Sequence, residues 1–284
     1  MTSLDDRLRQ ARLIDLSDYI HAGEGANGSS YNHRSDASIM LKLYNPGKLR
    51  QPLDELDLAR KVHAAGIATP EPGDLVTDGT RYGVVFRRLN GKISYARAVG
   101  EHPENLPRYA AEFAGMCREL HAIHVDPTLF PSVKDRYLSL LEENPFFTAY
   151  QKERIAAFIR QAPDGDTAIH GDLQFGNALF VGDHRYFIDL GDFCYGHPYF
   201  DVGMVYMTCK LNEESFTREA FHMDNRTASA FWDAFAPVYF GPDADLAAIE
   251  KEIRIYAGLK TLIVERDTRR PMTELRAMLE GTIY

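Results

Sequence analysis

The chain has 284 residues, 45% hydrophobic and 26% charged, a size and balance suited to one large domain or two lobes of a soluble globular protein. No apolar run approaches the roughly 18 residues of a membrane span, and the N-terminus lacks the basic-then-apolar pattern of a signal peptide. A net charge of −9 argues against a nucleic-acid surface. Three scattered cysteines (Cys117, Cys194, Cys209) read as reduced core thiols, so a cytoplasmic protein with neither membrane nor nucleic acid as partner is expected.

In chain order, the first signal is His21-Ala22-Gly23-Glu24-Gly25-Ala26-Asn27-Gly28-Ser29-Ser30. Its glycines fit G-x-G-x-x-G, but a dinucleotide fingerprint needs a helix next. Here a polar turn over 29–33 follows, then an apolar strand over 39–44. A glycine loop between strands suits a flap over a triphosphate, whose backbone amides approach phosphate oxygens where β-carbons are missing. An ordinary hairpin turn is the competing explanation. Lys42 interrupts the apolar strand Ile39-Met40-Leu41-Lys42-Leu43-Tyr44, where an unpaired charge is costly. It is either an edge lysine facing water or a phosphate contact held by a carboxylate.

A helix follows, with Pro52 in its first turn and Gly66 as its stop. Leu56, Ala59 and His63 share one face, as do Leu58 and Val62. Glu55 is the chosen partner for Lys42, with Asp54 and Asp57 as competitors. A first-turn carboxylate favoured by the helix dipole is the simpler account of any of them. Tyr82-Gly83-Val84-Val85-Phe86 reads as a buried strand leading into Arg87-Arg88-Leu89-Asn90-Gly91. The drift after Gly91 sets the expected boundary between residues 1–91 and 92–284. From about 105, Tyr109, Phe113, Met116, Leu120 and Ile123 mark a long amphipathic helix. His121 and His124 lack a third ligand and read as structural. A second helical stretch covers about 147–161.

The chemistry concentrates in Ile169-His170-Gly171-Asp172-Leu173-Gln174-Phe175-Gly176-Asn177. The flanking apolar runs read as strands, with a hairpin around Gly182-Asp183 ending at Ile188-Asp189. Asp172, Asn177 and Asp189 are thereby brought to one end of a small sheet. Kinase phosphoryl transfer needs such a set, one aspartate for the acceptor hydroxyl and an asparagine and aspartate for metal ions. Turn chemistry explains each aspartate singly. A turn-rich bridge, Gly191 to Pro198, leads to a helix starting near Asp201, and the remainder reads as helices. Residues 1–100 carry 14 basic and 12 acidic side chains and the rest 18 and 29, that is +2 and −11. The acidic second part would attract a cationic substrate; a surface kept acidic for solubility accounts for the same numbers.

Together these motifs resemble the aminoglycoside phosphotransferase and choline kinase group, relatives of protein kinases. The resemblance covers roughly residues 15–205 and is most specific at His170-Gly171-Asp172 with Asn177, at Ile188-Asp189, and at Gly196-x-Pro198-x-x-Asp201. Protein kinases usually carry arginine where Gly171 stands, which favours the small-molecule branch. Leu190 and His197 depart from the group's usual residues without replacing a catalytic one.

The resemblance implies an α+β, protein-kinase-like fold, with a small N-terminal antiparallel-sheet lobe that binds nucleotide and a larger, mostly helical C-terminal lobe. It implies transfer of the γ-phosphoryl group of ATP or GTP to a hydroxyl of a small molecule, such as an aminoglycoside or another amino sugar or amino alcohol. A nucleotide-binding scaffold without transfer activity is the alternative. Asp172 would accept or orient the hydroxyl proton, and Asn177 and Asp189 would hold Mg2+. Gly23, Gly25, Gly28, Ser29, Ser30, Lys42 and Glu55 would serve the phosphates. Backbone of the Arg87–Leu89 connector would meet adenine, with Leu179 and Ile188 as the floor of its pocket. His170 would brace the loop, and Asp201 would cap a helix or bond the loop.

Overall fold

The computed structural model describes residues 3–25 and 27–283, and the chain divides into two units, Met1–Lys92 with Phe180–Gly191, and Ile93–Leu179 with Asp192–Tyr284. The sequence reading groups residues 180–191 with the second part. They belong with the first because the backbone bonds there: the Phe187 amide donates to the Ala68 carbonyl at 2.8 Å.

The first unit opens with α1 (Leu4–Leu8), β1 (Arg12–Leu13), β2 (Tyr19–Gly25), β3 (Gly28–His33), β4 (Ile39–Tyr44), α2 (Gln51–Ala64), β5 (Pro72–Thr77) and β6 (Tyr82–Arg87). The six strands form one sheet in the order β1-β5-β6-β4-β3-β2, antiparallel except for the β1–β5 pair. Residues 29–33, expected as a turn, are strand β3. Their side chains are all half-buried, since β3 is paired on both edges, between β2 and β4, and Ser30 stands opposite Lys42.

Alternation along β4 decides what Lys42 meets. Leu41 and Leu43 pack with Ile14, Tyr19 and Val76 on one face. Met40 packs on the other, with Leu53 and Leu56 of α2, and with Leu75, Val84 and Phe86. A period of two puts Lys42 on the Met40 side, which α2 covers. Leu56 and Val62 are buried as expected, whereas His63 is exposed. That imidazole follows the apolar stripe in spacing but lies at the solvated end of the helix.

The second unit begins with β7 (Ile93–Ser94), α3 (Tyr95–Glu101), α4 (Leu106–His121), α5 (Val133–Glu143), α6 (Ala149–Gln161) and β8 (Thr167–Ile169). β9 (Ala178–Val181) begins in this unit and ends in the first, to which β10 (His184–Phe187) belongs, and β11 (Cys194–Gly196) resumes the second. It ends in α7 (Tyr199–Lys210), α8 (Glu214–Phe221), α9 (Asn225–Phe240), α10 (Leu246–Leu259), α11 (Thr261–Thr268) and α12 (Thr273–Ala277). The sequence reading passes over α3 and α5. Both start at a serine whose hydroxyl caps a backbone amide, Ser94 for Arg97 and Ser132 for Asp135.

Aromatic residues hold this unit together. Phe113 of α4 meets Phe231 and Phe235 of α9, and Phe231 meets Phe175. Helix α7 is buried nearly all round, from Phe200 to Cys209, as a central helix must be. Its start is fixed by β11, which lies within the stretch read as a turn-rich bridge. β11 pairs antiparallel with β8, Cys194 opposite Ile169. By that register Asp192 meets Gly171 on the loop that leaves β8, while Gly196 and His197 lie at the start of β8, beside Gly165.

Candidate active site

In the first unit, strand β4 and helix α2 present an ion pair. Lys42 Nζ lies 2.9 Å from Glu55 Oε1 and 2.8 Å from Oε2. The competitors are otherwise placed: Asp57 pairs with Arg7 at 2.6 Å, and Asp54 is exposed. Burial raises the Glu55 pKa, Lys42 opposes the shift, and the Asp189 carboxylate adds to it. Asp189 therefore lies within electrostatic reach of the pair. It is exposed and its backbone is left-handed, φ +59°, a conformation uncommon for a side chain other than glycine and enriched where geometry serves function.

The glycine-rich hairpin is formed by β2 and β3, with Gly25 opposite Gly28 and Glu24 opposite Ser29. The Ser30 hydroxyl donates to the Gly23 carbonyl at 3.3 Å. Gly28 has a reason of its own to lack a side chain: a β-carbon there would stand 2.0 Å from the Leu43 carbonyl oxygen. Sheet packing against β4, rather than open access for a ligand, demands that glycine. Arg87 ends β6 exposed and faces Glu71 at 3.7 Å. Leu89 and Ile188 are half-buried, and Leu179 is core.

In the second unit the loop leaving β8 carries Asp172 and Asn177. The Asn177 side-chain amide donates to Asp172 Oδ2 at 2.9 Å and to the Asp172 carbonyl at 3.0 Å. With its nitrogen so used, the Asn177 oxygen is the atom turned to other partners. The Asp172 amide donates to His170 Nδ1 at 3.3 Å, so His170 braces the loop from a fully buried position.

The loop is anchored from α7. Asp201 Oδ2 accepts from the His170 amide at 2.6 Å and Oδ1 from the Gly171 amide at 2.9 Å. His121 Nε2 lies 3.2 Å from Oδ2, while its Nδ1 lies 2.7 Å from the Tyr239 hydroxyl. Asp201 is 0% exposed. Burial opposes its charge, but the His121 hydrogen bond and the nearby His121, His170 and Lys260 charges outweigh burial and lower its pKa. Of the two roles expected for Asp201, it performs the loop bond.

Gly171 sits at φ +87°, and a β-carbon there would fall 2.1 Å from the Asp192 carbonyl oxygen. No side chain fits, which explains why this loop has glycine. Arg136 of α5 holds the opposing segment, donating to the Asp192 carbonyl at 2.8 Å and to its carboxylate.

The sequence reading missed Arg136, the His121 link and Lys260. Lys260 alone left a signal, a lysine within the apolar run Ala257-Gly258-Leu259-Lys260-Thr261-Leu262-Ile263-Val264. That is the same anomaly that singled out Lys42. Among the described residues no three His, Cys, Asp or Glu side chains gather as a preformed metal cage.

The sequence profile of the phosphotransferase enzyme family matches residues 21–237. No curated protein sequence gives a significant match. Among solved structures, a thermostable mutant of aminoglycoside phosphotransferase APH(4)-Ia is similar at 14% identity, covering 93% of this chain and 96% of that one, with a TM-score of 0.61. Aminoglycoside phosphotransferase APH(3'')-Id from Streptomyces rimosus, in complex with ADP and streptomycin, shares 21% identity over 88% of this chain and 99% of its own, with a TM-score of 0.57. A choline/ethanolamine kinase family protein from Mesorhizobium loti shares 19% identity over 93% and 84%, with a TM-score of 0.54. The fold is thus the protein-kinase-like one of these phosphotransferases.

Proposed function

Because the chain belongs to the phosphotransferase enzyme family, we propose that it moves the γ-phosphoryl group of ATP or GTP to a hydroxyl of a small molecule. The observation that carries this reading is the Asp172 carboxylate, bonded to Asn177 on a loop whose amides are fixed by a buried aspartate. A half-exposed carboxylate on a fixed loop can take a hydroxyl proton without first paying to be ordered. Glu55 holds the Lys42 ammonium at both carboxylate oxygens, so it would be presented to phosphate oxygens as a fixed charge. Gly23, Gly25, Gly28, Ser29 and Ser30 would cover those phosphates. The Arg87–Leu89 backbone, Leu179 and Ile188 would meet the base.

The donors suit a magnesium ion. Asn177 and Asp189 offer only oxygen, which a hard cation prefers, and such ions complete their shells with water and phosphate oxygens rather than with a full protein cage. Asn177, with its nitrogen bonded to Asp172, and Asp189, exposed in its left-handed turn, are the residues that would hold it. The ion would offset the charge that develops on the transferred group. The chain's own contribution is to fix these oxygens and to position the proton acceptor.

The acceptor we favour is cationic, an amino sugar or amino alcohol, because residues 101–284 carry an excess of 11 acidic side chains and the summed field concentrates cations. The named neighbours, proteins of aminoglycosides and of choline or ethanolamine, define the first acceptors to try. Nucleotide consumption is measured against a panel of these with acidic metabolites as contrast. Asp172→Asn is expected to lower kcat by about 10²–10⁴-fold with nucleotide affinity retained. Wild-type turnover in that variant, or tight nucleotide binding with no transfer to any acceptor, would overturn the proposal.

A further inference from the structure

The Lys42–Glu55 pair is gripped by a stretch of chain that precedes the glycine hairpin. Residues 3–14 lie before residue 21, where the family match begins, yet they are fastened at both ends. The Ser3 hydroxyl caps α1 at the Asp6 amide, 3.1 Å away. At the other end β1 pairs with β5, Arg12 opposite Val76 and Leu13 opposite Thr77, and the Ile14 amide donates to the Thr77 carbonyl at 2.9 Å. A segment at the edge of a sheet frays unless it is tied down in this way.

The segment reaches both partners of the ion pair, from opposite faces of the sheet. Leu8, 6% exposed, belongs to the buried cluster of Leu53 and Leu56, the α2 residues that bracket Glu55. Ile14 lies across the sheet in the cluster of Leu41 and Leu43, the β4 residues that bracket Lys42. Arg7 adds an ion pair to Asp57, two residues beyond Glu55, at 2.6 Å. Its side chains are 35% and 41% exposed, so that pair contributes little by itself and the apolar contacts carry the hold. Helix α2 needs such a hold. It begins at Gln51 without a side-chain cap among the described residues, so its first turns depend on tertiary packing.

We infer that residues 8–14 form a strap and that Leu8 is a positioning residue for Glu55: it holds the uncapped first turns of α2 on the sheet and so keeps the Glu55 carboxylate on the Lys42 ammonium. The bonds of that pair, 2.9 and 2.8 Å, tolerate little movement, because a hydrogen bond weakens steeply beyond about 3.2 Å. A small outward shift of α2 therefore separates the pair while leaving the sheet intact. The strap sets that distance from a stretch of sequence that carries none of the proposed phosphate or metal residues.

The effect on nucleotide rests on the phosphotransfer reading; the effect on the ion pair does not. The test is acylation by an N-hydroxysuccinimide ester, read by mass spectrometry on the peptide covering Lys42. It compares wild type, Leu8→Ala, Leu8→Met, Glu55→Gln and the double variant Leu8→Ala/Glu55→Gln. Acylation consumes the free amine, a form that a bonded carboxylate disfavours. Lys251, exposed on α10, is the reference. Leu8→Ala leaves a cavity against α2 and is expected to speed labelling of Lys42 about threefold to tenfold relative to Lys251. Methionine conserves volume, so Leu8→Met should stay within about twofold of wild type. The double variant should label no faster than Glu55→Gln, because the strap acts through that carboxylate. MgATP affinity should fall at least about threefold in Leu8→Ala, and no further in the double variant than in Glu55→Gln.

Labelling of Lys42 at the wild-type rate in Leu8→Ala would sink the inference and leave Leu8 as core packing alone. So would equal acceleration at Lys251, which would mean general loosening, and so would a double variant labelled faster than Glu55→Gln. Wild-type labelling in Glu55→Gln would overturn it too, since there would be no hold to transmit. Should Leu8→Ala not fold, Leu8→Val is read in the same way, with a smaller acceleration. If the wild type binds no MgATP, the proposed function fails while the labelling still judges the strap.

Discussion

Replacing Asp201 by asparagine tests the anchoring of the loop with the fewest atoms changed. Each carboxylate oxygen is an acceptor, Oδ1 for the Gly171 amide and Oδ2 for both the His170 amide and His121. Asparagine has one oxygen, so its NH2 must face a donor whichever way it turns. The milder orientation sets that NH2 against the Gly171 N–H. A charge-assisted hydrogen bond, about 1.5–3 kcal/mol, is lost, and a buried donor is left unpaired at about 1–3 kcal/mol. We expect about 3–5 kcal/mol of destabilisation in urea titration, with exchange at residues 168–177 accelerated before the rest of the protein. A variant within about 1 kcal/mol of wild type, with the loop still protected, would refute the claim that this carboxylate holds the loop.

Two further outcomes separate packing from ligand binding and follow from titration. Gly28→Ala forces a methyl group to within 2.0 Å of the Leu43 carbonyl and should cost about 1–3 kcal/mol by overpacking. If stability in urea were unchanged while nucleotide affinity fell, phosphate access and not sheet packing would be the reason for that glycine. His197 is half-buried, and burial, with His121 and Lys134 beside it, lowers its pKa. The unfolded chain then takes up the proton first as pH falls. Its contribution to stability is whole above about pH 6.5, the unfolded value, and is lost as pH drops through the lowered folded value. Melting temperature should therefore decline on acidification below that point, and His197→Gln should flatten the decline; identical slopes would remove His197 as the cause.

What could be read from the sequence depended on whether both partners of an interaction carried a local signal. Lys42 interrupts an apolar strand, and its carboxylate lies on the next periodic helix, so Glu55 could be chosen even among three acidic neighbours. Asp172 and Asn177 share one loop and could be read as a unit. Strand β3 reads as a turn because Ser29, Ser30, Asn32 and His33 are polar, while its place in the sheet is set by pairing with β4. No local composition states that pairing. The same holds for β11, whose partner β8 lies 25 residues upstream across an intervening hairpin.

Lys260 shows the limit in its sharpest form. By local pattern it is as conspicuous as Lys42, one cation in an apolar run. Its surroundings, however, come from elements far apart in sequence, Tyr137 of α5 beneath its ammonium and helix α7 packed against α10. A buried charge can be noticed from sequence by its cost, but its function depends on which carboxylate it meets. That requires the fold.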